Sequence, residues 1–186
     1  MTPSAAQATL RSERLDLLPL RVEHAEEMAV VLSDPALHTF TGGTPDTVEA
    51  LRSRYRRVTA GSPDPAVSWL NWVIRLRAES CLTGYVQATV TGAVAEVAWV
   101  VGAPWQGRGI ATEAARTLVD WLGRQPVHTV IAHVHPDHHA SAAVATAVGL
   151  RPTDLRQDDE IRWTNGSRPA DGGRSAGRPR CFRSGS

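Results

Sequence analysis

The stretch AEVAWVVGAPWQGRGIATEAARTLVDWL, residues 95–122, decides the fold of this chain. Residues 97–101 form a short apolar run that is typical of a buried strand, and a glycine-rich turn follows it. Apolar residues then recur every four positions and so share one face of a helix: Ile110, Ala114, Leu118 and Leu122. A strand, a glycine-rich turn and a helix in this order bring unpaired backbone N–H groups and the positive end of the helix dipole to one point. Such a point suits a phosphate group.

Length and composition indicate one ordinary globular domain. The chain has 186 residues and a net charge of +1, so no nucleic-acid partner is expected. All 20 basic residues are arginine, which excludes a Walker A loop because that loop needs a lysine. Cys81 and Cys181 do not suggest a disulfide framework. The first residues lack the pattern of a signal peptide and no run has the length of a membrane span, so we expect a cytoplasmic protein without a membrane partner.

The hydrophobic pattern predicts an α/β fold, with helices packed on a mixed central sheet in the order β-α-α-β-β-β-α-β-α-β(-β). Strands are expected at residues 14–20, 69–77, 82–91, 93–101, 127–134, 150–154 and 160–164. Helices are expected at residues 22–32, from a start at 44–46 to 58, at 109–123, and from a cap at Asp137 to Gly149. Residues 1–10 are expected to be loose. Residues 1–164 would form the domain, and 165–186 a disordered tail rich in Arg, Gly, Ser and Pro.

The glycine-rich turn and its flanks, VVGAPWQGRGIA, resemble the acetyl-CoA motif of the GNAT superfamily of N-acetyltransferases. The signature of that family is Q/R-x-x-G-x-G/A between a strand and a helix, and Gln106, Gly109 and Ala111 occupy its positions. The resemblance covers about residues 11–164. It is closest to the branch of ribosomal-protein N-terminal acetyltransferases, whose usual start is similar to ERLDLLPL at residues 13–20. It implies the GNAT fold, acetyl-CoA as cosubstrate, and an amine acceptor that is either a small molecule or a protein N-terminus.

The resemblance also implies a cofactor site. Backbone N–H groups of residues 107–112 would hold the pyrophosphate of CoA. The pantetheine arm would pair with the end of the strand, in a gap that opens beside the strand at residues 127–134. Arg108 is expected to meet a phosphate, and His138 stands where the family usually has an Asn that touches the cofactor arm. The cofactor-binding residues expected on this basis are Trp99, Val100, Val101, Gln106, Gly107, Arg108, Gly109, Ile110, Ala111, Thr112 and His138.

Acetyl transfer from a thioester to an amine requires removal of a proton from the amine, usually by a carboxylate directly or through water. Glu96 lies beside the proposed cofactor slot and matches a Glu often seen in this strand of the family, so it is the candidate catalytic base. Ser141 matches a Ser that this branch places near the thiol, and it is the second candidate. Ala145 stands where many members have a Tyr general acid, which leaves Ser141, water or no group to protonate the thiolate. The amine can attack directly, without a covalent enzyme intermediate.

Two other function classes stay open at this point. The missing Tyr and the replaced Asn are compatible with a non-catalytic acyl-CoA-binding module on the same fold. Residues 133–138, HVHPDH, resemble the metal signature H-x-H-x-D-H of the metallo-β-lactamase superfamily, which would imply a zinc-dependent hydrolase. That family needs further ligands downstream and no histidine follows His139, so no metal site is expected. Residues 36–44 and 60–68 are expected to line the acceptor site, and the sequence is compatible with a homodimer.

Overall fold

The computed structural model describes residues 8–40 and 42–166, which form one eight-stranded sheet with helices on both faces. The strands are β1 (Leu10–Arg11), β2 (Leu15–Pro19), β3 (Val67–Leu76), β4 (Cys81–Thr91), β5 (Val94–Val101), β6 (Thr129–Val134), β7 (Arg151–Gln157) and β8 (Glu160–Thr164). The helices are α1 (Ala25–Val31), α2 (Val48–Thr59), α3 (Ile110–Leu122) and α4 (His139–Ala147). None of the helices within these ranges is long and apolar enough to cross a lipid bilayer.

The strands lie in the order β1-β2-β3-β4-β5-β6-β8-β7. Neighbouring strands run antiparallel except β5 and β6, which are parallel because α3 crosses over between them. A mixed sheet flanked by helices confirms the predicted fold class, and the predicted order of elements is found from β2 onward.

The two faces of the sheet belong to two separate cores. Successive side chains of a strand point to opposite faces, so Trp72 and Ile74 of β3 face α3 whereas Val73 faces α1 and α2. On the α3 face, the rings of Trp72 and Trp121 meet edge to face with centroids 5.4 Å apart. Each large apolar side chain buried in this way contributes about 1.5–3 kcal/mol through removal from water. The sheet thus has one core under α3 and a second core under α1 and α2.

The N-terminal expectations need two corrections. Leu10 is not loose: it begins β1, pairs with Leu17 and is buried in the α3-side core. A two-residue strand is too short to produce a readable alternation. Helix α2 is capped by Thr47, whose Oγ1 accepts the backbone N–H of Ala50 at 3.2 Å, and so it begins three residues after the predicted cap at residue 44.

The N-cap of α4 also differs from the prediction. The side chain that caps α4 is His138, whose Nδ1 accepts the backbone N–H of Ser141 at 3.3 Å, whereas Asp137 is exposed and its own N–H donates to His135. The predicted end of α4 is confirmed. Gly149 has a φ of +85°, and its N–H and that of the next residue bond back to the last turn, as in a Schellman motif.

Two residues of the predicted tail, Asn165 and Gly166, lie within the described part of the chain. Asn165 exchanges hydrogen bonds with Val130 through its backbone N–H and its side-chain oxygen, so it extends the contact between β8 and β6. Residues 167–186 lie outside the described residues, and the prediction of a disordered tail there stays a prediction.

Candidate functional site

The site begins where two parallel strands part. The ladder between β5 and β6 consists of three rungs and ends at the pair Glu96 and Ile131. Beyond that rung β5 continues to Val101, and in the described chain its ladder there is with β4 alone. The backbone of β5 from Val97 onward is therefore open on the side of β6. An open strand edge of this kind can receive an extended ligand as an additional strand.

The open edge leads directly into the N-terminus of α3. Gly107 and Gly109 have φ values of +72° and +77°, in the left-handed region that favours glycine. Gly109 is the N-cap, and its carbonyl accepts the N–H of Glu113 at 3.0 Å. The N–H groups of residues 110–112 precede that first helical bond, so they have no partner within the helix and can bind an anion.

The loop is held in place from both ends. Gln106 Nε2 donates to the carbonyl of Val101 at 3.0 Å, which fixes the loop to the end of β5. Arg14 Nη1 donates to the carbonyl of Arg108 at 3.1 Å. The carboxylate of Glu113 accepts three short hydrogen bonds from the turn before β2: from Ser12 Oγ at 2.6 Å, from the Arg14 backbone N at 2.8 Å and from Arg14 Nε at 2.7 Å. The N-terminal end of α3 is thus anchored to the N-terminal strands.

These features open into one cleft of about 910 Å³. All of the predicted site residues except Arg108 line it, from the open strand edge through the glycine loop to the start of α4. The lining members are Glu96, Trp99, Val100, Val101, Gln106, Gly107, Gly109, Ile110, Ala111, Thr112, His138 and Ser141. The structure therefore brings the predicted residues together, while their individual roles stay predictions.

The side chain of Arg108 is the exception. Its Nη2 lies 2.6 Å from Glu79 Oε1, and the indole N–H of Trp105 donates to the other oxygen of the same carboxylate at 3.1 Å. The hydrogen bond from Arg108, and after it the one from Trp105, holds the pKa of Glu79 below its ordinary value. Arg108 is thus directed to the turn between β3 and β4, and not into the cleft where a phosphate contact was expected.

Glu96 and Ser141 reach the cleft from different elements. Glu96 lies on the face of β5 opposite α3, with 20% of its side chain exposed, and its Oε1 lies 3.2 Å from His133 Nδ1. Ser141 lies in the first turn of α4, and its backbone N–H donates to His138 Nδ1. Burial, more than any other factor, lowers the pKa of His138 below its ordinary value, and a neutral imidazole is the form that can accept this hydrogen bond. Ala145 is fully buried in the α3-side core.

One part of the cleft is not predicted from the sequence. It is the turn between β7 and β8, where Asp158 and Asp159 have φ values of +48° and +66° and line the cleft together with Glu160. Two residues between two strand runs indicate a hairpin, but only the sheet order places that hairpin at the end of β6. Phe40, which belongs to the predicted range 36–44, packs beside the start of α4, with its ring 4.5 Å from that of His138 and 5.1 Å from that of His135.

Of the two regions expected to line the acceptor site, one lines the cleft and the other does not. Of residues 36–44, the cleft is lined by Ala36, Leu37, Thr39, Phe40 and Gly42. Residues 60–68 are not among its described lining residues. They lead into the far end of β3, on the other side of β4, and so lie away from the gap between β5 and β6.

The residues of the H-x-H-x-D-H pattern have separate partners. His133 faces Glu96, His135 accepts the backbone N–H of Asp137 at 3.2 Å, and His138 caps α4. In the described part of the chain, no group of three or more His, Cys, Asp or Glu side chains is placed to hold a metal ion. The geometry of this segment thus gives the hydrolase alternative no support.

Comparison with known proteins identifies the family. A family model described as an acetyltransferase (GNAT) domain matches residues 14–151, about three quarters of the chain. The chain belongs to the GNAT acetyltransferase family. None of the curated proteins compared with it matches in sequence. Membership confirms the predicted family, makes the protein a transferase of acyl groups, and confirms acetyl-CoA as the expected cosubstrate.

Solved structures share the GNAT fold of this chain. A GNAT acetyltransferase from Bacillus anthracis has a TM-score of 0.70 at 18% identity, covering 84% of this chain and 96% of that one. The ribosomal L7/L12 α-N-protein acetyltransferase RimL, solved with coenzyme A, has a TM-score of 0.70 at 14% identity, covering 84% and 97%. The microcin C7 self-immunity acetyltransferase MccE, solved with acetyl-CoA and AMP, has a TM-score of 0.68 at 15% identity, covering 82% and 92%. At these identities the likeness concerns the fold.

Proposed function

We propose that this GNAT protein is an N-acetyltransferase that moves the acetyl group of acetyl-CoA to a primary amine by direct attack. One observation carries the proposal. The β5–β6 ladder ends at Glu96, so an open strand edge, a free helix N-terminus and a carboxylate meet in a single cleft. A thioester held along that edge would lie next to a group able to take a proton from the attacking amine.

The cleft fits the cosubstrate. The N–H groups of residues 107–112 would hold its pyrophosphate, because the helix N-terminus offers both free donors and the positive end of the dipole. The edge of β5 at residues 99–101 would pair with the amide groups of the pantetheine arm. Bound acetyl-CoA supplies an activated acetyl group. With Arg108 paired to Glu79, phosphate binding would rest on backbone N–H groups more than on a cationic side chain.

The chemistry requires two protons to leave the ammonium, one before and one after attack, and one proton to reach the thiolate. Glu96 would accept the first proton of the incoming ammonium, directly or through a water molecule. The neutral nitrogen then attacks the thioester carbonyl carbon, a C–N bond forms, and the C–S bond breaks as the nitrogen gives up its second proton. The hydroxyl of Ser141, which lines the cleft from the first turn of α4, would protonate the departing thiolate and recover that second proton from the nitrogen. Holding both reactants in one cleft supplies much of the rate, since no enzyme nucleophile is needed.

The acceptor is proposed to be an amine that is protonated when it arrives, either a protein N-terminus or a small amine. The acceptor side of the cleft carries the carboxylates of Glu96, Asp158, Asp159 and Glu160, and its described lining includes no arginine. Carboxylates lining a cleft raise the local concentration of a cation. This charge distribution favours an ammonium over an anionic acceptor.

The first test measures acetyl-CoA binding with a matched pair of variants. Thr112 and Ala50 are both the third residue of a helix, α3 and α2, so Glu at either position is favourable toward the helix dipole. Only Thr112 lines the cleft. At acetyl-CoA about one hundred times its Kd, the melting temperature of the wild type and of A50E should rise by roughly 5–10 °C. T112E should show little rise, because its carboxylate repels the pyrophosphate.

The second test measures turnover as release of the CoA thiol. The amine panel is a short peptide with a free N-terminus, a polyamine and an aminoglycoside. The variant Glu96→Gln should bind acetyl-CoA as the wild type does and lose about 10²-fold or more of its turnover, the range expected for a general base. Equal thermal shifts in T112E and A50E would refute the cofactor site. A normal shift with no thiol release for any amine would instead support the non-catalytic module.

A further inference from the structure

His133 forms a pair with Glu96 that the proposed chemistry has not used. Ile131 shares the last rung of the parallel ladder with Glu96, and His133 follows two residues later on the same face of β6. The two side chains meet at 3.2 Å, between Nδ1 of the imidazole and Oε1 of the carboxylate. Only 4% of the His133 side chain is exposed, against 20% for Glu96. Both side chains line the cleft, and the imidazole, which comes from β6, is the more buried of the two.

The partner of His133 fixes which ring nitrogen carries the proton. An ionised carboxylate only accepts hydrogen bonds, so in a pair with ionised Glu96 the Nδ1 of His133 is the donor. Three other histidines have the opposite arrangement, because their Nδ1 faces a backbone N–H and must be unprotonated. They are His24, which accepts from Arg21 at 3.1 Å, His135, which accepts from Asp137 at 3.2 Å, and His138, which accepts from Ser141 at 3.3 Å. Among these four histidines, His133 alone is placed as an Nδ1 donor.

We propose that His133 is the positioning residue of the catalytic base: its Nδ1–H holds one oxygen of Glu96 and orients the carboxylate toward the acceptor amine. The inference rests on the proposed function, in which Glu96 takes the proton of that amine. A carboxylate on a flexible side chain loses catalytic efficiency when it samples several rotamers, and a hydrogen bond from a nearly buried ring restricts it to one. His133 acts through Glu96 and does not itself touch the reacting atoms.

The tautomer can be measured in the free protein, without any acceptor. A long-range ¹H–¹⁵N correlation spectrum of histidine-labelled protein at about pH 8, where an ordinary imidazole is mostly neutral, distinguishes the two tautomers. His133, assigned by the loss of its signals in H133N, should be protonated at Nδ1, whereas His24, His135 and His138 should be protonated at Nε2. In E96A the proton of His133 should move to Nε2, while E79A should leave it in place. An unprotonated Nδ1 in the wild type, or no change in E96A, would overturn the pairing.

Kinetics then separates positioning from a merely structural role. With the best amine of the panel, H133L should reduce kcat by about tenfold or more, a part of the general-base effect, and leave the KM for acetyl-CoA within about twofold. H133N should recover most of that loss, because the Asn side-chain N–H occupies the place of Nδ1. H128L is the control, since His128 is an exposed histidine just before the same strand.

The double variant E96Q/H133L tests whether His133 acts through Glu96. If His133 acts through Glu96, H133L should cost little further activity once Glu96 is Gln, so the two losses should be far from multiplicative. Independent, multiplicative losses would refute the positioning role. Full activity in E96Q would refute the proposed base instead, and the tautomer measurement would still decide whether the pair exists.

Discussion

The contact between Glu113 and the turn before β2 should contribute a large part of the stability of the cofactor loop. Its carboxylate is 18% exposed and accepts hydrogen bonds from Ser12 Oγ, the Arg14 backbone and Arg14 Nε, all at 2.6–2.8 Å. A hydrogen bond to a charged group contributes about 1.5–3 kcal/mol, and such terms are not additive. Glu113→Gln keeps one acceptor oxygen but turns an N–H toward a donor. We expect it to lower the free energy of unfolding by about 2–4 kcal/mol, and the melting temperature by roughly 5–15 °C.

The loss of unfolding free energy in Glu113→Gln should become smaller as the pH falls. Partial burial raises the pKa of Glu113, but the hydrogen bonds from Ser12 and Arg14 outweigh it and hold the pKa below its ordinary value. A carboxyl group with a lowered folded-state pKa stabilises the fold above its unfolded value, about 4.3, and this stabilisation disappears as the pH falls through the folded-state value. The difference in unfolding free energy between the wild type and E113Q should therefore be complete at neutral pH and shrink below about pH 4.

Urea unfolding followed by circular dichroism, at pH 7 and again near pH 3, measures both effects. The control is Glu49→Gln, which removes an exposed carboxylate from the first turn of α2 and should cost no more than about 1 kcal/mol. The reasoning is refuted if E113Q costs no more than E49Q at pH 7. It is also refuted if the cost of E113Q is the same at the two pH values, because the hydrogen bonds would then not depend on the charge of the carboxylate.

Two further predictions concern the fold around the site. A Cβ atom at residue 84 would lie 2.1 Å from the Val100 carbonyl oxygen, so Gly84→Ala should force β4 from β5 and lower the unfolding free energy by more than about 2 kcal/mol, measurable by thermal denaturation. His138→Ala removes the cap of α4 and should cost about 1 kcal/mol, which His138→Asn should restore. Burial lowers the pKa of His138. The difference in unfolding free energy between the wild type and H138A should therefore be full above about pH 6.5 and decline as the pH falls. A difference that grows at pH 5.5 would contradict this reasoning.

The elements predictable from the sequence are those whose signal is periodic. The apolar face of α3 and the runs of β3, β4 and β5 extend over enough residues for the hydrophobic pattern to fix their type. β1 is not predictable, because its two residues, Leu10 and Arg11, are too few to show the alternation of apolar and polar side chains. The starts of α2 and α4 differ from the predictions because residues three positions apart, or next to each other, can each cap a helix. Backbone geometry, which a sequence does not state, selects Thr47 over Thr44 and His138 over Asp137.

The same distinction applies to the site. The strand edge, the glycine loop and the helix start are consecutive in sequence, so their shared chemistry could be predicted from one stretch. The contact between Arg108 and Glu79 is not predictable in this way, because Glu79 lies 29 residues away in a turn that only the β3–β4 hairpin brings near. Asp158 and Asp159 reach the cleft because β8 pairs with β6, a pairing of strands that are separated by α4 and β7. Such contacts depend on sheet order, for which the residues carry no local signal.

The strand β5 serves the proposed reaction through three different surfaces. Val97 and Val101 point into the core beneath α3, Glu96 points from the other face into the cleft, and the backbone edge beyond Glu96 is open toward β6. A core substitution such as Val97→Ala should therefore act on stability first, while a substitution at Glu96 should act on turnover. The gap beside β5 depends on neither side chain directly, since it exists because β6 leaves β5 at Ile131 to continue its pairing with β8. Side-chain changes on β5 can consequently alter the chemistry of the site without removing the place where acetyl-CoA would bind.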